Sequence, residues 1–110
     1  MSNIHYTPEA EDDLIGIKEH ITEYLENPVA ATNTVAKITK RIRKLEQSPQ
    51  LGPCLSSIIN LDTDYRFLVC SKYLAFYRIY GNDVYIVRIL YGRRDYVSIM
   101  FGELPSGEIE

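Results

Sequence analysis

A chain of 110 residues, with 12 lysines and arginines against 15 aspartates and glutamates, carries a net charge of −3 and is long enough for one domain with its own core. That balance argues against a general nucleic-acid coat, which needs a strong basic excess, and no apolar run approaches the roughly 18 residues of a membrane span. Residues 1–20 lack the apolar stretch of a secretory signal, so Cys54 and Cys70 are expected to be unpaired thiols in a reduced, cytoplasmic protein.

Taken in chain order, "NIHY" at 3–6 reads as a short first strand. In "TPEAEDDL", Thr7 can cap a helix that Pro8 opens. The acids that follow suit the positive end of the helix dipole. Ala10, Leu14, Ile17, Ile21 and Leu25 recur every three or four residues and form one apolar stripe. "ENP" at 26–28 interrupts it. Asn27 and Pro28 then start a second helix with the stripe Ala31, Val35, Ile38, Ile42 and Leu45. Two amphipathic helices on so short a connection make an antiparallel hairpin. Pro49 and Gly52-Pro53 end it, and Ile58-Ile59 reads as a brief extended piece within a loop.

The pattern then changes. "YRFLVC" (65–70), "YLAFYRIY" (73–80) and "VYIVRILY" (84–91) are rich in β-branched and aromatic residues. Gly81-Asn82 between the last two is a hairpin turn signal. With that two-residue loop, Arg78 faces Tyr85, Tyr77 faces Ile86, Phe76 faces Val87, Ala75 faces Arg88 and Leu74 faces Ile89. Both sheet faces carry apolar residues, so both are expected to be covered. "RDYVSIMF" (94–101) reads as one or two helical turns or a short strand. The order predicts an α+β fold, a two-helix hairpin packed on a twisted antiparallel sheet. One domain is expected over 1–102, with a short acidic tail over 103–110 that holds Glu103, Glu108 and Glu110.

Charge is distributed unevenly. Residues 9–26 hold seven acids and one lysine, whereas Lys37, Lys40, Arg41, Arg43 and Lys44 stand together without an acid, so a negative total conceals a local positive face. His5 and His20 lack the spacing of metal ligands. Glycine-rich phosphate loops and nucleophile elbows are absent from the sequence, and neither metal nor cofactor is expected. What remains is Arg66, Arg78, Arg88, Arg93 and Arg94, with Lys72, among nine tyrosines. Arginine forks bind phosphate or carboxylate, and tyrosine offers area with a polar end. Mid-strand, Arg78 and Arg88 are expected to pair with aspartate or stack on tyrosine. Arg93 and Arg94, just past Gly92, are the better candidates for a partner.

The stretch "YRFLVCSKYLAFYRIYGNDVYIVRILYGRRDY" (65–96), behind a helical hairpin that opens with "TPEAEDDL", resembles the RelE/ParE superfamily of type II toxin–antitoxin toxins. "YLAFYRI" and "RILYGRRDY" are its most specific parts, and it covers roughly residues 4 to 102. The resemblance implies a toxin held inactive by a cognate antitoxin, with operator DNA bound only through that antitoxin. RelE-like members cut mRNA on the translating ribosome; ParE-like members poison DNA gyrase. In the RelE-like branch an arginine stands where this chain has Leu74, and a tyrosine is expected near Met100 and Phe101. Arg94 matches that branch's arginine after the final glycine, and would be the catalytic residue if the chain were a nuclease. The remainder is closer to the ParE-like side.

The expected function is therefore growth inhibition by ParE-like binding to gyrase. A ribosome-dependent mRNA endonuclease and a non-toxic antitoxin-binding or plasmid-stabilising remnant are the alternatives. Target contacts are expected at Arg66, Lys72, Tyr91, Arg93, Arg94 and Tyr96. Antitoxin contacts are expected at Lys37, Arg41 and Lys44, which suit an acidic partner.

Overall fold

In a computed structural model that describes residues 1–102, the chain runs β1 (Asn3–Tyr6), α1 (Pro8–Tyr24), α2 (Pro28–Arg43), β2 (Arg66–Cys70), β3 (Tyr73–Tyr80), β4 (Asp83–Tyr91) and α3 (Tyr96–Phe101). The tail expected over 103–110 lies outside the described residues. Both long helices start on the residues whose chemistry requires it. Thr7 Oγ1 accepts from the Ala10 amide at 3.2 Å, and Asn27 Oδ1 accepts from the Ala30 amide at 3.0 Å. Each cap satisfies a donor that the first helical turn cannot. Thr7 also fastens α1 to the sheet: its hydroxyl donates to the Val87 carbonyl at 3.0 Å and its amide to the Ile86 carbonyl at 3.0 Å.

The sheet has the order β1-β4-β3-β2. Strands β2, β3 and β4 form the expected antiparallel meander. β1 adds to the far side of β4 in parallel, with Asn3 opposite Asp83 and Tyr6 opposite Ile86, so the four-stranded sheet is mixed. The helices lie on one face, where Ile38, Ile42, Leu45, Leu68, Ala75, Tyr77, Val84, Ile86 and Ile89 close the main core. A smaller core of Leu55, Phe76 and Leu90, with α3 packed over it, covers part of the other face. Residues 55–57 form a 3-10 turn rather than leading into an extended piece, and Ile59 packs into this second core.

The turn-derived register holds from Tyr80–Asp83 to Tyr77–Ile86, then shifts by one residue. Val87 is an extra residue on β4, so Phe76 faces Arg88, Ala75 faces Ile89 and Leu74 faces Leu90. A bulge of this kind reverses the inward phase of the rest of the strand. Ile89 therefore enters the helix-side core beside Ala75, not the opposite face that simple alternation implies. Leu25 also departs from expectation. It lies at the end of α1, 64% exposed, instead of completing the stripe.

Cys70 is buried in the main core and Cys54 is exposed. Burial pushes the Cys70 thiol up to about 11, against a smaller downward pull from Arg41. The folded state therefore holds this proton more tightly than the unfolded chain. The resulting stabilisation is complete below the ordinary thiol value and is lost as pH rises from there through about 11. Burial raises the phenols of Tyr6, Tyr73 and Tyr77 as well, with the same sign at higher pH. Urea unfolding midpoints are expected to fall between about pH 8 and about pH 10.5, and an unchanged midpoint would contradict this account.

Candidate interaction site at the end of β4

Gly92 ends β4 where the chain must pass close to the β2–β3 turn. Its amide donates to the Lys72 carbonyl at 2.9 Å, and an added Cβ would lie 3.3 Å from that oxygen. The chain then turns: the Arg94 amide donates to the Tyr91 carbonyl at 3.0 Å. Asp95 caps α3 through the Ser98 amide at 3.4 Å and hydroxyl at 2.8 Å. Arg93 and Arg94 are thereby held between a strand end and a helix cap, both exposed. Neither forms an ion pair among the described residues.

Arg94 stands at the edge of a half-open cleft of about 840 Å³. One wall is α1 and its C-terminal end, with Asp12, Asp13, Gly16, Ile17, His20, Ile21 and Leu25. Ala30 and Thr34 of α2 close one side, and Ser71, Lys72, Tyr73, Ile89 and Tyr91 form the strand side. The lining mixes apolar side chains, among them Ile17, Ile21 and Ile89, with charges of both signs, Lys72 and Arg94 on the strand side and Asp12 on α1. Tyr73 and Tyr91 pack edge to face at 5.8 Å. Burial, and secondarily Tyr91, raises the Tyr73 phenol, so Tyr73 is a neutral hydrogen-bonding group here. Gly16 has open space where a side chain would be, which leaves the middle of the α1 wall flat.

Of the residues anticipated for target contact, the structure brings Lys72, Tyr91 and Arg94 together at this cleft, with Arg93 adjacent in the chain. Arg66 lies at the other end of β2 and donates to the Gly52 carbonyl at 2.7 Å. Tyr96 packs on Phe76, ring centroids 5.2 Å apart, on the opposite face of the sheet. Lys37, Arg41 and Lys44 line one side of α2. Arg41 Nε donates to the Val69 carbonyl of the outer strand β2 at 3.3 Å, and the two lysines are exposed. The mid-strand arginines are engaged internally. Arg78 pairs with Asp64 at 3.0 Å and lies over the rings of Tyr65 and Tyr80 at 4.9 and 5.1 Å. Arg88 grips both oxygens of Asp13 at 2.8 and 2.9 Å.

Reasoning from the sequence missed Asp13 and Gly16. Asp13 was explained by the helix dipole, yet it lies beyond the first turn, where that effect fades. A glycine inside a helix costs up to about 1 kcal/mol relative to alanine, and that cost was the available signal for Gly16.

The family model described as "ParE toxin of type II toxin-antitoxin system, parDE" matches residues 4–96. The chain belongs to the ParE toxin family. Its class is thus the toxin component of type II toxin–antitoxin systems. Among solved structures, this ParE-family chain is similar to one described as "Chromosomal ParDE TA system from P. aeruginosa". The identity is 26%, the TM-score is 0.70, and the match covers 83% of this chain and 96% of that one. No curated protein matches it. No helix among the described residues is long and apolar enough to cross a membrane.

Proposed function

We propose that this ParE-family toxin inhibits growth by binding DNA gyrase and is neutralised by a cognate antitoxin. The observation that carries this reading is the cleft beside Arg93 and Arg94, where apolar side chains stand among charges of both signs. Such a lining suits a protein segment, in which both signs of charge occur, and suits a polyanion poorly. Leu74 points the same way. It packs into the smaller core beneath Gly92, with its Cγ 3.8 Å from where a Gly92 Cβ would be. An apolar side chain therefore fills the position that an RNA-cleaving relative would give to arginine.

In this reading Lys72, Tyr91, Arg93 and Arg94 contact the target. The antitoxin covers the basic side of α2 at Lys37, Arg41 and Lys44, where acidic residues of a partner would be favoured. Operator binding is left to the antitoxin. Purified toxin should block gyrase supercoiling near a one-to-one ratio, and added antitoxin should relieve the block. An Arg93→Glu/Arg94→Glu variant should fold normally and inhibit roughly 10²-fold less, as reversal of a central charged contact does. No effect on gyrase at large excess, together with codon-specific cuts in a translating extract, would replace this reading with the RNA-cleaving one.

A further inference from the structure

The connection between α1 and α2 presents three large apolar side chains that the fold does not use. Tyr24 is 76% exposed, Leu25 64% and Val29 69%. Single exposed apolar residues are ordinary; three within six residues at one turn are a local concentration of the kind that interaction surfaces show. The turn is held in shape. Asn27 caps α2, its amide donates to the Ile21 carbonyl at 3.4 Å, and Glu26 occupies a left-handed backbone conformation with φ of 51°. Tyr24 is steadied against His20, ring centroids 5.0 Å apart. A patch fixed in advance loses little entropy when it docks.

Around these side chains stand Glu19, Glu23 and Glu26, all exposed, with no lysine or arginine between residues 19 and 36. An anionic rim repels nucleic acid and anionic lipid. It also repels any acidic partner drawn to the basic side of α2, whose far end is roughly 22 Å away along a helix rising about 1.5 Å per residue. Leu25 also borders the cleft at Arg94, whereas Tyr24 and Val29 take no part in it.

We propose that the hairpin tip is a second docking surface for the growth target, accepted by an apolar socket rimmed with lysine or arginine on a folded protein. This rests on the toxin reading and divides the molecule: the target holds the tip, and the antitoxin holds the basic side of α2.

The test uses the full chain and two variants, Tyr24→Ser/Val29→Ser and Glu19→Lys/Glu23→Lys. All four side chains are exposed, so both variants should melt like the wild type. Each should keep its antitoxin affinity within about twofold and lose growth inhibition on induction, with target binding at least about 30-fold weaker. An Arg41→Glu/Lys44→Glu variant should do the reverse, staying toxic while escaping the antitoxin. Undiminished toxicity of both tip variants overturns the proposal. So does loss of antitoxin affinity, which makes the tip the antitoxin's seat, or a wild-type dimer that the tip variants dissolve, which makes it a contact between copies. Purified gyrase subunits separate the two readings. If wild type fails to bind gyrase while the tip variants lose toxicity, the gyrase reading falls and the tip stands. If wild type and variants bind gyrase equally, the tip falls and the gyrase reading stands. A wild type that leaves growth unaffected overturns both.

Discussion

Replacing Gly52 by alanine is expected to destabilise the protein by roughly 3–5 kcal/mol, since Gly52 is the most crowded glycine among the described residues. The added Cβ would collide with the Phe67 carbonyl and stand 2.9 Å from the Tyr77 hydroxyl. Both belong to a buried junction. The Tyr77 hydroxyl donates to the Pro49 carbonyl at 2.8 Å and accepts from the Gly52 amide at 2.9 Å, while Arg66 donates to the Gly52 carbonyl. Overpacking costs about 1–3 kcal/mol, and each disrupted hydrogen bond adds about 1 kcal/mol. Against a typical total of about 5–15 kcal/mol, that is a large share. Urea unfolding measures it. The same substitution at Gly16, where a Cβ meets nothing within 4 Å, should instead stabilise by up to about 1 kcal/mol. A Gly52→Ala protein within about 1 kcal/mol of wild type would mean that the loop repacks freely, against the general cost of overpacking.

Asp13→Ala should cost about 2–4 kcal/mol, because it strands two partners at once. The carboxylate accepts two bonds from Arg88 and a third, at 2.9 Å, from the Ile89 amide. The Asp13 side chain is only 13% exposed and that of Arg88 only 25%, so water compensates poorly. The bulge at Val87 leaves the Ile89 amide beside the helix, and Asp13 satisfies it. Arg88→Leu alone should cost a comparable amount, since it leaves the mostly buried Asp13 carboxylate with the Ile89 amide as its one remaining partner of the three bonds. In a double-mutant cycle the coupling should exceed about 1 kcal/mol; a value near zero would mean that the two side chains act independently.

How much of this was readable in the sequence depended on whether the physics is local. The helix starts at Thr7-Pro8 and Asn27-Pro28, the turn at Gly81-Asn82 and the strand character of 65–91 are set by neighbours in the chain, and all are present. The bulge at Val87 is not local. It is held by Thr7 and Asp13, which bond the Val87 carbonyl and the Ile89 amide from 80 and 76 residues away in the chain, so the turn-derived register fails beyond Tyr77 and sets Ile89 opposite Leu74, where Leu90 stands. The site divides in the same way. Arg93 and Arg94 were recognisable because Gly92 marks the strand end. The cleft they border was not, because its α1 wall is about 80 residues away in the chain and shows only as an unexplained glycine and an aspartate past the first helical turn.

The parallel placement of β1 on β4 has a consequence for how the toxin is made. Asn3 must wait for Asp83, its partner 80 residues later, and β3 also needs β4 as a neighbour. Closing a loop of that length costs several kcal/mol in chain entropy before any contact repays it, and such distant pairing slows folding. A nascent chain whose residues up to Tyr91 have not yet left the ribosome lacks the strand on which both halves of the sheet depend. The arginine-bearing turn after Gly92 is made later still. Folding thus waits until β4 has been made, and at about 5–20 residues per second the chain spends several seconds without its assembled surface. A partner already present in the cell therefore meets the toxin at the moment the surface forms.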